Sequence, residues 1–183
     1  MARFSHSYLK RTIRDRILGE CDIIVEGGVG SNLERYAYFR EYGYNGDYVA
    51  VDKDHGVVSQ TAVPSGVNLL VGDCFDLQLL TDAIRTTRYM SPLFLTNGSL
   101  ADSLLIGQYK HVGKAVDIIS RVFQTQLHIA PVSGVEIYHP RMHRNGNGSS
   151  GSLGKFRRFL DISAEYGWET EIVAKNLILM KKS

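Results

Sequence analysis

Short apolar runs alternate along the chain with segments whose apolar positions recur at helical spacing. The runs expected as strands are 22–27, Tyr48–Asp52, Val67–Gly72, Leu93–Asn97, Leu127–Val132, Val135–Tyr138, Glu169–Ala174 and Leu177–Met180. Helical patterns lie between the early ones. Ser31 with Glu34 forms a capping box ahead of Leu33, Tyr36 and Phe39, with an exit near Gly43. Leu77, Leu80 and Ile84 mark a second helix over Leu77–Thr87. Ser99 with Asp102 opens a third, long pattern through Leu104, Leu105, Val112, Val116, Ile119 and Phe123. Strands separated in this way by helices predict parallel βαβ units in a layered α/β sandwich.

The last third departs from this alternation. Phe156, Phe159, Leu160 and Ser163 share one helical face, and Gly167 ends that helix. Two strand runs then follow with only Lys175-Asn176 between them, which predicts a hairpin and an antiparallel last strand. Residues 145–154, Asn-Gly-Asn-Gly-Ser-Ser-Gly-Ser-Leu-Gly, hold almost no apolar surface and are expected as a flexible loop near the ligand edge. No repeat breaks the chain, so 1–183 is expected to be a single domain.

Composition narrows the picture modestly. Hydrophobic residues make up 44% and charged residues 22%, values of an ordinary globular protein. No apolar run reaches the roughly 18 residues of a membrane span, so no membrane partner is expected. The start, Met1 to Tyr8, lacks the apolar stretch of a secretory signal, and a cytoplasmic protein is expected. Cys21 and Cys74 lack metal-type spacing and are expected as reduced, buried thiols; no metal site is expected. The net charge of +2 implies no partner, but its distribution is uneven. Lys10, Arg11, Arg14 and Arg16 cluster near the start, and Arg141, Arg144, Lys155, Arg157 and Arg158 flank the glycine-rich stretch. Such clusters can recruit phosphates, though most are solvated faces.

The candidate chemistry sits at the carboxyl ends of the strands, where open α/β sheets bind ligands. The first strand runs into Glu26-Gly27-Gly28-Val29-Gly30 and then a helix. A strand, glycine turn and helix start bring backbone N–H groups close to a ligand. The carboxylate of Glu26 repels phosphate there and favours a cationic or hydroxylated group. The second strand ends at Asp52-Lys53-Asp54, with Asp52 at roughly the 20-residue spacing of an acid that accepts from both ribose hydroxyls. The third ends at Gly72-Asp73-Cys74-Phe75, where Asp73 can accept from an exocyclic amine and Cys74 and Phe75 can offer backbone N–H and apolar cover. The fourth ends at Thr96-Asn97-Gly98. One acid past a strand end is commonplace; three at successive ends form a pattern.

This ordered set resembles the class I S-adenosylmethionine-dependent methyltransferases over nearly the whole chain. Their first motif, acid-x-Gly-x-Gly-x-Gly, stands here as Glu26-Gly27-Gly28-Val29-Gly30-Ser31-Asn32, with Asn32 in place of the last glycine. Asp52 matches the family's ribose acid, Gly72-Asp73-Cys74-Phe75 its adenine-side motif, and the closing hairpin its antiparallel last strand. The resemblance implies a three-layer α/β/α sandwich on a mostly parallel seven-stranded sheet with an antiparallel last strand. It implies S-adenosyl-L-methionine as cofactor, held by Glu26, Gly28, Gly30, Asn32, Asp52, Lys53, Asp73, Cys74 and Asn97, with Glu26 toward the methionine ammonium directly or through water. Asn97 would face the methionine end and the substrate.

The methyl acceptor, a small molecule or a nucleic acid, is less defined. Family members that methylate nucleobase amines carry Asp/Asn-Pro-Pro-aromatic after the fourth strand, whereas this chain has Asn97-Gly98-Ser99-Leu100. A hydroxyl or other non-nucleobase acceptor is therefore preferred. The Lys-Asp-Lys-Glu set of RNA ribose methyltransferases wants an acid where Asn97 stands. Candidate general bases are His111, His128, His139 and His143, with His139 preferred because it ends a strand beside the glycine loop. The alternatives are a methyltransferase-fold scaffold without catalysis and an NAD- or nucleotide-binding module. The NAD fingerprint needs a third glycine where Leu33 stands, which counts against the last.

Overall fold

The structure is a computed structural model and describes residues 19–29, 33–60, 62–85, 91–97, 109–129, 159–174 and 177–182. Its frame is a seven-stranded sheet, numbered here β1 (Ile23–Gly27), β2 (Asp47–Asp52), β3 (Val67–Val71), β4 (Pro92–Asn97), β5 (Thr125–Ile129), β6 (Trp168–Ala174) and β7 (Leu177–Lys182). The connecting helices are α1 (Glu34–Glu41), α2 (His55–Gln60), α3 (Leu77–Arg85) and α4 (Tyr109–Val122), with a further helical segment at 159–165.

The strand order is β3-β2-β1-β4-β5-β7-β6. Strand order therefore reverses between β1 and β4, the crevice where this kind of sheet takes its ligands. β1 is buried along its whole length, as a central strand covered on both faces must be, and its Ile-Ile-Val run suits that position. β7 runs antiparallel to both β5 and β6, with Leu127 opposite Leu179 and Thr170 opposite Met180. The expected antiparallel last strand and mostly parallel sheet are thus present.

Alternate residues of the strands feed two separate cores, because successive side chains point to opposite faces. Ile23, Val25, Val49, Val51 and Phe94 pack with Leu80 of α3, Val112, Val116 and Ile119 of α4, and Phe159 and Ile162. On the other face Ile24, Tyr48, Ala50, Leu93 and Leu95 pack with Val29, Leu33, and Tyr36 and Phe39 of α1. Tyr36, Tyr44 and Tyr48 are buried in this second core.

Several boundaries differ from the sequence expectation. α1 starts at Glu34 after Leu33, which makes no side-chain cap hydrogen bond, so Glu34 is the first helical residue rather than the third position of a capping box. Leu33 is drawn into the aromatic core, and the chain turns into the helix only after it. The exit is as expected, with Gly43 at φ 87° in the left-handed region. β5 begins at Thr125, two positions before its expected start; α3 is described to Arg85, and its expected end at Thr87 lies outside the described residues. Gly167, at φ 81°, ends the 159–165 segment as expected. The expected strand Val135–Tyr138, the Ser99–Asp102 capping box, the flexible loop 145–154 and both terminal-side basic clusters lie outside the described residues. No described helix is long and apolar enough to cross a membrane.

Candidate functional site

The carboxyl ends of β1, β2 and β3 are stitched together by backbone. Gly28 N–H donates to the Val51 carbonyl at 2.9 Å, and Gly72 N–H donates to the Asp52 carbonyl at 2.9 Å. Gly28 sits at φ 71°, a conformation that glycine adopts without the Cβ penalty. A Cβ there would meet nothing within 4 Å among the described residues. Gly27 is the opposite case. A Cβ on it would lie 2.8 Å from Cys74 Cβ, 2.9 Å from Cys74 Sγ and 3.3 Å from Phe94 Cζ. The loop after β3 therefore crosses the end of β2 and rests on the end of β1. This brings two of the sequence-predicted segments, the glycine turn and Asp73-Cys74-Phe75, into contact.

Asp52 is half-buried at the last position of β2, and its Oδ1 accepts from Asp54 N–H at 3.0 Å. Lys53 is exposed next to it. Asp73 is exposed, and its Oδ1 accepts from Phe75 N–H at 2.9 Å. That N–H, expected to be on offer to a ring, is thus spent on holding the acid in place. Asp76, which the sequence reading passed over, starts α3: its Oδ1 accepts from Gln78 N–H at 2.8 Å and Leu79 N–H at 3.1 Å. Cys21 and Cys74 are free and half-buried, and burial pushes both thiols up to about 12, so neither is a nucleophile near neutrality.

β4 places Asn97 one position beyond Thr96, which pairs with Gly27 on one side and His128 on the other. Asn97 is therefore at the crevice edge by backbone register. His128 lies within β5, flanked by Thr96 and Ile178. His111 is exposed in the first turn of α4. Gly30, Asn32, His139 and His143 lie outside the described residues.

Glu26 is placed unlike the other strand-end acids. It is fully buried, the one charged side chain so placed among the described residues. Its Oε1 accepts from the Arg35 guanidinium of α1, and its Oε2 accepts from the Tyr48 hydroxyl of β2. Burial raises the Glu26 carboxyl above its ordinary value, while the Arg35 charge and the two hydrogen bonds pull it back. Burial, then the Glu26 charge, push the Tyr48 phenol well up. The sequence carries a signal for this trio outside the glycine motif. A carboxylate inside an apolar strand needs a cation, and Arg35 is the first one to follow it.

The sheet order and the reversed last strand are those of the Rossmann-like α/β fold found in class I methyltransferases. Known structures agree. The chain resembles the methyltransferase PaMTH1 of Podospora anserina, solved with S-adenosylhomocysteine, at TM-score 0.58 and 13% identity, covering 100% of this chain and 80% of that one. It resembles a caffeoyl-CoA O-methyltransferase, so described, from Staphylococcus aureus at TM-score 0.59 and 12% identity, covering 100% and 85%. LepI, solved with S-adenosylmethionine, matches at TM-score 0.60 and 12% identity, covering 96% of this chain and 46% of LepI. No family model matches the chain, and no curated protein matches it in sequence. At these identities the likeness defines the fold.

Proposed function

We propose that this chain binds S-adenosylmethionine at the β1–β4 crevice and transfers its methyl group to a hydroxyl of an acceptor. The observation that carries this reading is the packing of Cys74 on Gly27, which gathers the glycine turn and the Asp73 segment beside Asp52. The residues present suit such a ligand. Gly28 takes a left-handed turn that leaves no described residue within 4 Å of its Cβ direction, Asp52 ends its strand as a carboxylate suited to a ribose diol, and Asp73 is an exposed acceptor suited to an adenine amine. Lys53 and Cys74 flank these acids, and Gly30, Asn32 and Asn97 complete the proposed set.

When bound, the cofactor supplies an electrophilic methyl carbon on a sulfonium. The chain has to hold an acceptor oxygen about 3 Å from that carbon, in line with the breaking bond, and accept its proton. Asn97, at the edge of β4 beside the turn, is the proposed positioning group at the methionine and acceptor end, and His139 is the proposed base. Two neighbours described as O-methyltransferases, from Staphylococcus aureus and Burkholderia thailandensis, support an oxygen acceptor.

Calorimetric titration with S-adenosylmethionine, S-adenosylhomocysteine and NAD tests the cofactor. Heat with the first two and none with NAD is expected; silence with both adenosyl ligands would end the reading. Asp52→Ala is expected to weaken binding by about 1–3 kcal/mol, because a buried pair of hydroxyl donors loses its charged acceptor. An unchanged Kd would remove Asp52 from the ribose.

A second reading, a cofactor-binding protein of this fold without methyl transfer, draws on one observation. Another neighbour at TM-score 0.57 is described as a pericyclic reaction enzyme, and a fold does not dictate its chemistry. Binding of S-adenosylmethionine with no methyl transfer to any of a hydroxyl, amine and nucleic-acid panel would favour it.

A further inference from the structure

Arg35 carries more hydrogen-bond donors than its contact with Glu26 uses. A guanidinium has five N–H groups in a rigid fork. One nitrogen, Nη1, donates to Glu26, while Nε is buried and has no hydrogen-bond partner among the described residues. Of the three side chains in this network, only Arg35 reaches the surface: its side chain is 18% exposed against 0% for Glu26, and Tyr48 is buried.

Its position in the fold gives that exposure a direction. Arg35 lies in the first turn of α1, the helix that follows the glycine turn. Helical Cα–Cβ bonds tilt toward the N-terminus, so its side chain leans toward the carboxyl edge of the sheet. Glu26, its partner, is the residue before Gly27 at the end of β1. The cation is therefore fixed just beneath the turn. Stability alone does not account for the arrangement, since a well-packed apolar contact is often as stable as a buried ion pair. What the pair adds is a guanidinium held in one orientation by Glu26, itself held by Tyr48.

We infer that Arg35 receives the carboxylate of an amino-acid-bearing ligand at the head of the glycine turn, with Glu26 and Tyr48 as positioning residues for its guanidinium. This rests on the cofactor reading above and deepens it, because S-adenosylmethionine and S-adenosylhomocysteine carry an α-carboxylate. It also reassigns Glu26, which on this geometry orients Arg35 instead of meeting the ligand's ammonium. A planar fork suits a carboxylate, and an ammonium on Lys would not reproduce the fit.

The test compares S-adenosylhomocysteine with its decarboxylated analogue, which differs only by the carboxylate. Wild-type protein is expected to prefer the intact ligand by about 10-fold or more, the size of one charge-assisted hydrogen-bonded contact. The double substitution Glu26→Gln with Arg35→Gln removes both charges without stranding either. It is expected to bind the two ligands alike, because its loss falls about 10-fold or more harder on the intact ligand than on the analogue. Retention of the wild-type preference would overturn the inference, as would an equal loss for both ligands, which is the mark of a merely structural role. If the double variant does not fold, Arg35→Lys is read in its place. Its preference must fall below that of wild type, and an unchanged one overturns the inference. Equal wild-type binding of both ligands sinks this inference while leaving the cofactor reading intact. Binding of neither sinks both.

Discussion

The two faces of the sheet are built from different materials. The face under α3 and α4 is apolar: Ile23, Val25, Phe94, Val112, Ile119 and Phe123 interlock, and the Phe94 and Phe123 rings stand 5.0 Å apart. The face under α1 is aromatic and polar. Tyr36 donates to the Ser65 carbonyl and Tyr44 to the Asp47 carbonyl, both at 2.7 Å. Arg40 lies 5.1 Å from the Tyr36 ring centroid and 5.7 Å from that of Tyr44, and donates to the Tyr44 carbonyl at 2.8 Å. Glu26, Arg35 and Tyr48 close this network beneath the glycine turn. Apolar packing is tolerant of detail, whereas a hydrogen-bonded core has to be satisfied group by group. The first face therefore supplies cohesion, and the second fixes particular groups at the ligand edge.

The largest expected effect is on the apolar face. Phe94→Ala should destabilise the fold by about 3–5 kcal/mol, read as a lower urea midpoint, through a cavity in the packed core. A loss under about 1 kcal/mol would mean that this face is not the cohesive one.

Tyr48→Phe, on the polar face, should cost about 1–3 kcal/mol at neutral pH because one Glu26 oxygen loses its donor. Here the pH dependence carries the contrast. Burial raises the folded Glu26 pKa above its reference of 4.5, so the stability tied to its protonation is complete below that value and is lost as pH rises through the folded pKa. Tyr48→Phe raises the folded pKa further, so its cost should be larger at pH 7 than at pH 4. Phe94→Ala, which touches no carboxylate, should show no such trend. A pH-independent cost for Tyr48→Phe would break the distinction.

Gly27→Ala tests the boundary between the faces, since Gly27 follows Glu26 but meets Cys74 and Phe94. It should cost about 1–3 kcal/mol by overpacking and, by displacing the Asp73 segment, weaken cofactor binding as well. Normal binding would detach that segment from the site. The smallest contrast is expected from the thiols, one packed against each core. Cys21 and Cys74 both rise from 9.0 to about 12, so their stabilising term is complete below pH 9 and lost between pH 9 and 12. Alkylation of the folded protein at pH 8 should be slow for both, and a fast reaction at either would mark its core as open.

Much of the architecture was legible in the chain. β1 to β4 announce themselves because a buried parallel strand must be an unbroken apolar run, and the hairpin because only Lys175-Asn176 separates the runs that form β6 and β7. That Asp52 and Asp73 share one edge was legible for a related reason: crossover topology places consecutive parallel strand ends on one edge, so order in sequence becomes adjacency in space. The network around Glu26 was not legible in the same way. As one letter in a motif it reads as a ligand contact, while in the fold its oxygens accept from Arg35 and Tyr48. Tyr48 reads equally well as plain core packing, because alternation assigns it a face but not what its hydroxyl meets there.

The sequence by itself determined the sheet, its reversed last strand and the edge on which the strand-end acids stand, because periodicity and strand-end composition are local properties. Only the tertiary structure decided that Cys74 lies on Gly27 and that Glu26 is buried in a network. Both depend on distances between segments far apart in the chain, set by how the loop after β3 and the first turn of α1 close over the end of β1. An apolar pattern specifies which way a side chain points, and packing alone specifies what it touches.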